Sequence, residues 1–267
     1  MNYYFISDDL YTFNSGTEFS QAQRTELFNR FNKKAFYVTK NYNSQLHLNA
    51  FQLGLDDRYL IGMYDFFQKS LSTPSHKMNL RYLNAIPKDD YKIESPSPDF
   101  SLLKEAGKII GRIKVIPSTV SLVDQVEYFD DFGKVIARDH YDWRGFLSST
   151  EYFDQEQMPI AQVFFTPAGK KVLEITKRES NRQIYINSIR LYDFAGQDFY
   201  FSSEDELFIF FLNHLLEEKP GLIINDRTDL IAAIASVNAT DLKYQYLHDP
   251  QTYNSFDPIN GQMVTGV

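Results

Sequence analysis

Two short stretches of this chain carry residues that suit ligand binding at the end of a predicted strand. Residues 14–17 contain Ser15 and Gly16 and lie between a predicted strand and a predicted helix. Glycine lets a ligand approach the backbone, and the N–H groups at a helix start favour anionic oxygens. Ser15 and Gly16 are therefore candidate substrate-binding residues. An ordinary strand-to-helix turn capped by Asn, Ser or Thr explains the same residues.

The second stretch is His248, which directly follows a predicted strand over residues 243–247. In open α/β sheets, ligands gather at the carboxyl ends of the strands. An imidazole there could hydrogen-bond a ligand or stabilise developing charge, so His248 is the candidate catalytic residue. The alternative is a surface histidine that interacts with the neighbouring Asp249.

Charged residues supply two further candidate sites. Arg227 lies between Asp226 and Asp229 after a predicted strand, and it is a candidate substrate-binding residue unless this segment only caps a helix. Residues 170–190 are locally basic, and Lys171, Lys177 and Arg178 are candidate contacts to an anionic polymer. The alternative for these cations is the solvated charge that protects an edge strand. Arg144, beside the single tryptophan, is interpreted as part of a structural turn.

Composition limits the classes of function. The chain has 267 residues and a net charge of −8, which argues against nucleic acid as a partner. It contains no cysteine, and its histidines lack metal-ligand spacing, so no metal site is predicted. We expect a cytoplasmic protein, with association at the inner face of the membrane left open, because no apolar run approaches the ~20 residues of a membrane span.

The elements that must position these residues alternate between strand and helix at both ends of the chain. Near the start, strands are predicted at residues 3–7 and 35–39, and helices at 17–31, 45–53 and 57–68. Near the end, a capping box at residues 203–206 begins a helix over 207–216, followed by a strand at 222–224, a helix at 230–237 and the strand at 243–247. This order favours a parallel, Rossmann-like sheet.

The middle of the chain repeats every twelve residues. Gly133, Gly145 and Gly169 follow this spacing, and Gln157 occupies the missing step. An aromatic residue and a turn residue precede each of these positions. One strand plus one tight turn fits twelve residues, so the repeat predicts an antiparallel meander.

The sequence therefore predicts an α/β protein, α+β overall, in which a large antiparallel β-meander interrupts a Rossmann-like parallel-sheet domain. The parallel-sheet domain is assigned to residues 1–75 and 201–248, and the meander to residues 76–200. Residues 249–267 are interpreted as a tail leading toward a further domain. Residues 70–100, broken by four prolines, are expected to be a boundary with an irregular strand at 79–86.

Several stretches of the chain resemble the N-terminal half of bacterial retaining glycosyltransferases of the two-Rossmann (GT-B) type. The resemblance is to the poly(glycerol-phosphate) α-glucosyltransferases of wall teichoic acid and to relatives that glycosylate serine-rich adhesins. The matching stretches are NSGTEFSQAQRTELF (14–28), MYDFFQ (63–68), YFDDFGKVIARDHYDWRGFLSSTEYFD (128–154), FSSEDELFIFFLNHL (201–215), INDRTD (224–229) and YLHDPQTYNSFDP (246–258).

This resemblance implies the acceptor side of an enzyme that transfers a hexose from a nucleotide sugar such as UDP-glucose. In the family, the glycine loop at Gly16 and the histidine at position 248 face the cleft, and the donor is held by a second Rossmann domain. We expect that this chain requires such a donor-binding domain or a partner glycosyltransferase subunit, and that it uses no other cofactor.

A second hypothesis is a non-catalytic binding or assembly subunit. In that case the meander would hold a partner glycosyltransferase or an acceptor polymer, by strand pairing or by charge. The resemblance also implies that a homo-oligomer could form through the meander.

Overall fold

The structure is a computed structural model that describes residues 1–12, 16–86, 90–117, 119–180, 182–240 and 242–246. The chain divides into two compact units. The first comprises Met1–Tyr64 and Asp205–Val267, and the second comprises Asp65–Glu204. The sequence had placed these two junctions near residues 75 and 200.

The elements follow one another in an α/β, all-β and again α/β order. The first group is β1 (Asn2–Ser7), α1 (Gly16–Arg30), β2 (Ala35–Thr39), α2 (Leu46–Leu53), β3 (Leu60–Gly62) and α3 (Met63–Gln68). The second is β4 (Lys92–Ser97), β5 (Phe100–Glu105), β6 (Lys108–Val115), β7 (Val123–Phe129), β8 (Val135–Tyr141), β9 (Leu147–Phe153), β10 (Pro159–Phe165), β11 (Lys171–Ser180), β12 (Gln183–Phe194) and β13 (Gln197–Phe201). The last is α4 (Glu204–Glu218), β14 (Gly221–Asn225), α5 (Ile231–Ala235) and β15 (Lys243–Gln245).

The first unit contains a five-stranded sheet in the order β15-β14-β1-β2-β3, and all its described pairings are parallel. The central strands are short runs of buried residues, as parallel strands covered by helices usually are. Leu10, Ala22, Tyr37 and Leu46 belong to one cluster of its core. The predicted Rossmann-like sheet, shared between the two ends of the chain, is confirmed.

The orientation of α1 differs in part from the sequence prediction. The spacing of Phe19, Ala22, Leu27, Phe28 and Phe31 predicted one apolar face. Ala22 is buried and Phe28 packs on the rings of Tyr3 and Phe5, but Phe19, Leu27 and Phe31 are exposed, Phe31 by 70%. The buried residues of α1 are Glu18, Gln21, Ala22 and Thr25. Gln21 donates a hydrogen bond from Nε2 to the Ile6 carbonyl, and Thr25 Oγ1 donates to the Gln21 carbonyl. Polar side chains fill the inner face because they complete backbone hydrogen bonds there.

Two other local predictions were wrong. Residues 57–68 are a 3-10 turn, strand β3 and helix α3 rather than one helix. The irregular strand expected at residues 79–86 is a 3-10 turn at Leu80–Tyr82 with an isolated bridge between Asn79 and Leu122. The Pro-rich boundary region already contains β4, which carries Pro96 at the edge of the second sheet, where the missing N–H is tolerated.

The second unit is a ten-stranded antiparallel sheet in which the strands follow one another in sequence order from β4 to β13. The twelve-residue repeat is confirmed, because β7, β8, β9, β10 and β11 begin at residues 123, 135, 147, 159 and 171. Buried residues such as Leu103, Ile113, Val126 and Tyr141 form part of its core with Leu83.

The four repeated hairpins share one turn geometry. Gly133, Gly145, Gln157 and Gly169 all have a left-handed backbone, with φ between 66° and 97°. Each N–H at these positions donates to the carbonyl of the residue three earlier, as Gly145 does to Asp142 at 2.8 Å. Gln157 replaces glycine while its side chain bonds both backbone groups of Val135, at 3.0 and 2.9 Å.

One of these hairpin turns is buried around Arg144. Its guanidinium donates to Asp142 at 2.7 Å and to the Ser70 carbonyl at 2.7 Å, and it pairs with Asp65 at 2.5 Å. Only 2% of the Arg144 side chain is exposed. A Cβ on Gly145 would lie 2.8 Å from the Met78 nitrogen. The turn is therefore structural, because its contacts hold residues 65–78 against the meander.

Candidate functional site

The candidate site is the edge of the parallel sheet at which the strands end. Asp8 and Asp9 follow β1, Asp226 and Arg227 follow β14, and α1 begins nearby at Gly16. Parallel strands bring these loops to one edge, where ligands bind in open α/β sheets. The sheet thus brings Arg227 close to the start of the chain, and its role toward a ligand stays a prediction.

Arg227 connects three elements at this edge. Its Nη2 lies 2.7 Å from Asp8 Oδ1 and 2.5 Å from Glu18 Oε1, and its Nε donates to Asp8 at 2.7 Å. Glu18 belongs to the first turn of α1 and is 2% exposed. Burial would lower the pKa of Arg227, but the hydrogen bond and charge of Asp8 raise it. Arg227 is thus a permanent cation that holds both ends of the β1–α1 loop.

The start of this loop is fixed by a buried polar network. Asp9 Oδ1 accepts hydrogen bonds from the Leu10 N–H at 2.6 Å and from Asn43 Nδ2 at 3.0 Å. Asn49 Nδ2 donates to the Leu10 carbonyl at 2.8 Å. Burial raises the pKa of Asp9 to about 7, although the bonds from Asn43 and Leu10 oppose the shift. The β1–α1 loop, which is the candidate ligand-binding loop, therefore contains a carboxyl group that titrates near neutrality.

The sequence analysis missed Arg24. This helix residue pairs with the side chain of Asp226, and its guanidinium lies 5.2 Å from the Phe5 ring centre and 4.7 Å from that of Tyr246. The Tyr246 N–H donates to the Asn225 carbonyl at 2.7 Å, which fixes the chain two residues before His248. The only available signal was the spacing of Gln21, Arg24 and Phe28 along one helix face.

The remaining predicted cleft residues have different outcomes. Gly16 is the first residue of α1, and a Cβ there would meet nothing within 4 Å. The described chain itself therefore leaves room for a side chain at Gly16, and its role toward a ligand stays a prediction. Ser15 and His248 lie outside the described residues, so their roles also stay predictions.

The three candidate polymer contacts on β11 are not on one surface. Successive strand residues point to opposite faces, so Lys177 and Arg178 diverge. Lys177 pairs with Glu151 at 3.3 Å, while Lys171 pairs with Glu174 at 2.8 Å and lies 4.5 Å from the Tyr192 ring centre. Within the described ranges, no cluster of His, Asp and Glu is placed to hold a metal ion, and no helix is long and apolar enough to cross a bilayer.

The fold of the chain resembles that of several solved structures. The chain matches the crystal structure of a GtfA/B complex with a TM-score of 0.76 and 17% identity, over 96% of this chain and 50% of that one. It matches TarM with a TM-score of 0.69 and 17% identity, over 99% and 53%. The chain therefore shares the fold of these two structures, and this likeness confirms the resemblance to these proteins that the sequence indicated.

The sequence comparisons agree with the structural class. Residues 101–194 match the family described as the GtfB middle domain. A curated relative from Streptococcus agalactiae, "UDP-N-acetylglucosamine--peptide N-acetylglucosaminyltransferase GtfA subunit", is 22% identical over 247 residues. The match covers 90% of this chain and 46% of the relative. The chain thus spans about half the length of the proteins that it resembles.

Proposed function

We propose that the chain is the acceptor-side part of a glycosyltransferase that transfers a hexose from a nucleotide sugar to wall teichoic acid or to a cell-surface adhesin. The observation that carries this proposal is the combination of a split parallel sheet and an inserted meander, which GtfA/B and TarM share with this chain. The edge held by Arg227 lies where such a fold binds its ligands.

In this reaction an acceptor hydroxyl forms a bond to the anomeric carbon of the sugar as the nucleoside diphosphate leaves. The residues of this chain orient the acceptor and line one wall of the cleft. Gly16 would offer backbone N–H groups at the start of α1, and His248 would hydrogen-bond the transferred sugar. Arg227, bonded to Asp8 and Glu18, would hold the β1–α1 loop in position.

The donor would be held by a donor-binding domain or by a partner glycosyltransferase subunit, and the chain alone would not turn over. A transfer assay tests this directly. Labelled UDP-glucose and UDP-N-acetylglucosamine are supplied with poly(glycerol phosphate) or a serine-rich peptide, with the chain alone and with the co-expressed partner. We expect labelled polymer or peptide only with the partner, and loss of that product in His248→Ala. Transfer by the chain alone would contradict the partner requirement, and an active His248→Ala would remove the role of that histidine.

The alternative is a non-catalytic subunit that uses the meander to hold a partner glycosyltransferase or an acceptor polymer, including a homo-oligomer formed through the same region. The matched structure described as a complex of GtfA and GtfB supports a partner subunit of this kind. Co-purification separates the two functions. A stable complex whose activity survives His248→Ala and Arg227→Gln supports the assembly subunit, whereas loss of activity with the complex intact supports the acceptor-side enzyme.

A further inference from the structure

A line of paired residues crosses one face of the antiparallel sheet at right angles to its strands. From β4 to β9, Glu94 is opposite Leu102, Leu102 opposite Arg112, Arg112 opposite Glu127, Glu127 opposite Arg138, and Arg138 opposite Glu151. Residues directly opposite share a face. Five steps of one strand spacing give a line about 24 Å long.

Each glutamate in this line pairs with more than one cation. Glu127 lies 2.6 Å from Arg112, 3.0 Å from Lys114 and 3.1 Å from Arg138. Glu151 lies 3.3 Å from both Arg138 and Lys177, and 3.9 Å from His140. Glu94 lies 2.8 Å from Lys104 and 3.8 Å from Lys92. We call these three glutamates and their Lys and Arg partners the glutamate row.

Charge in the glutamate row does not balance. Six cations (Lys92, Lys104, Arg112, Lys114, Arg138 and Lys177) face three carboxylates, which leaves three positive charges in excess. The chain as a whole has a net charge of −8. The excess on this one line is therefore opposite in sign to the rest of the molecule.

The pKa of each glutamate in the row is below its ordinary value, so the three carboxylates are ionised at neutral pH. The excess of positive charge was counted on that basis. Burial would raise the pKa of Glu127, but hydrogen bonds from Arg112 and Lys114 hold it below its ordinary value. Burial would likewise raise the pKa of Glu151, and His140 and Lys177 lower it. The hydrogen bond from Lys104 lowers the pKa of Glu94.

All six cations are more exposed than the central carboxylate, from 20% for Lys177 to 75% for Lys92. The Glu127 side chain is 1% exposed, whereas Arg112 is 38% and Lys114 is 35% exposed. The buried carboxylate thus fixes the cations from below and leaves some of their donors open to a ligand. Protection of a sheet edge can explain Lys92, which lies on the edge strand β4, but it does not explain Arg112, Lys114 and Arg138, because β6 and β8 are paired on both sides.

We propose that the glutamate row binds a linear polyanion that runs across the strands of the meander, with phosphodiester or carboxylate groups meeting the excess cations. The excess positive charge can be assigned to Lys92, Lys114 and Lys177. Without these three lysines, each glutamate still has a Lys or Arg partner. Of the three polymer contacts predicted on β11, only Lys177 belongs to this surface. The idea that the row is the acceptor site of an enzyme rests on the proposed function. Binding of a polyanion to the row does not depend on it.

Binding of synthetic poly(glycerol phosphate) and of poly-L-glutamate to the purified full chain, measured over a series of salt concentrations, tests this inference. The variant K92Q/K114Q/K177Q removes the three unmatched charges and keeps every glutamate paired. The matched control K134Q/K170Q/R182Q removes three exposed cations from hairpin turns. Circular dichroism melting shows whether both variants fold as the wild type does.

We expect the row variant to weaken polymer binding at least tenfold, while the turn control stays within about twofold of the wild type. By analogy with single-stranded nucleic acid, three lost contacts reduce the slope of log K against log salt by about two. Preference for poly(glycerol phosphate) identifies a phosphodiester ligand, and preference for polyglutamate identifies a carboxylate polymer.

Two outcomes overturn the inference: no measurable binding of either polymer by the wild type, or equal weakening by both triple variants, which would reflect net charge alone. A third variant, K171Q/R178Q, separates this surface from the opposite face of β11 and should bind more tightly than the row variant. Failure of sugar transfer with polymer binding intact would count against the proposed function and leave the row standing. Sugar transfer that proceeds without polymer binding would count against the glutamate row and leave the proposed function standing.

Discussion

Tyr3 is a direct parallel neighbour of Leu222, although the whole antiparallel sheet lies between them in the sequence. The strands that contain them, β1 and β14, are the centre of the five-stranded sheet. The parallel sheet is therefore complete only when the chain returns from the meander. Side chains that connect the two ends of the chain should then contribute strongly to stability, and Arg227 is the clearest case.

Replacement of Arg227 by Gln should destabilise the first unit. The change removes the cation beside Glu18, which is 2% exposed, and beside Asp8. Because Arg227 itself is partly exposed, we expect a loss of about 1–3 kcal/mol in the free energy of unfolding. Denaturant unfolding measures it. Arg58→Gln, which breaks an exposed pair with Asp56, is the control and should leave the midpoint unchanged. Equal effects of the two changes would refute the connecting role of Arg227.

The buried carboxyl of Asp9 should make stability depend on pH. Its pKa is about 7 in the folded chain, against an ordinary value of 3.8. Between these values the unfolded chain releases the proton while the folded chain keeps it, so stability falls as pH rises from about 4 to about 7 and then levels off.

Asp9→Asn removes that dependence. Above pH 7 we expect the variant to exceed the wild type in unfolding free energy by an amount on the order of 2 kcal/mol, with no such gain below pH 4. Unfolding curves at several pH values measure the difference. Asp131→Asn, at an exposed carboxylate whose pKa Lys108 lowers, should show no gain at high pH. Parallel pH profiles for wild type and Asp9→Asn would contradict the buried carboxyl.

The hairpin glycines should differ in their tolerance of alanine. Gly133 and Gly145 both have positive φ, but a Cβ on Gly133 meets nothing within 4 Å, whereas one on Gly145 lies 2.8 Å from the Met78 nitrogen. Gly133→Ala should cost about 1 kcal/mol from backbone conformation alone. Gly145→Ala should cost about 2 kcal/mol more, because the Met78 backbone must move. Thermal unfolding compares them, and similar melting temperatures would contradict the close packing.

Replacement of Arg144 by Met should be the most damaging single change among these. It leaves the carboxylates of Asp65 and Asp142, both nearly buried, without this cation. We expect a loss of about 3–5 kcal/mol, measured by denaturant unfolding. The triple variant R144M/D65N/D142N should recover part of the loss, since it also removes the buried charges. A triple variant no more stable than Arg144→Met would show that packing, not charge, dominates this turn.

The meander was predictable because its determinants are local. A left-handed residue every twelve positions fixes each turn, and Gln157 could be assigned to the series by spacing alone. The sheet shared by β1 and β14 was predictable from the alternation of elements and from the family resemblance. Short elements were harder, since β3 has only three residues and lies between a 3-10 turn and α3.

The buried face of α1 was predicted only in part, because hydrophobicity alone does not determine it: Ala22 and Phe28 pack inward as expected. Phe19 and Phe31 face solvent, while Gln21 and Thr25 turn inward to bond backbone groups. No pattern in the sequence reveals that an inward polar residue will find such a partner. The role of Arg227 was predictable only as a position at the end of a strand. Its two carboxylate partners come from residues 8 and 18, and only the folded sheet brings them together.

We propose above all that this chain forms the acceptor wall of a cleft and that a partner holds the donor. Isothermal titration of the purified chain, with UDP-glucose in one experiment and poly(glycerol phosphate) in another, tests it most directly. We predict salt-sensitive binding of the polymer and no measurable binding of the nucleotide sugar. Tight binding of UDP-glucose by the chain alone would contradict the account.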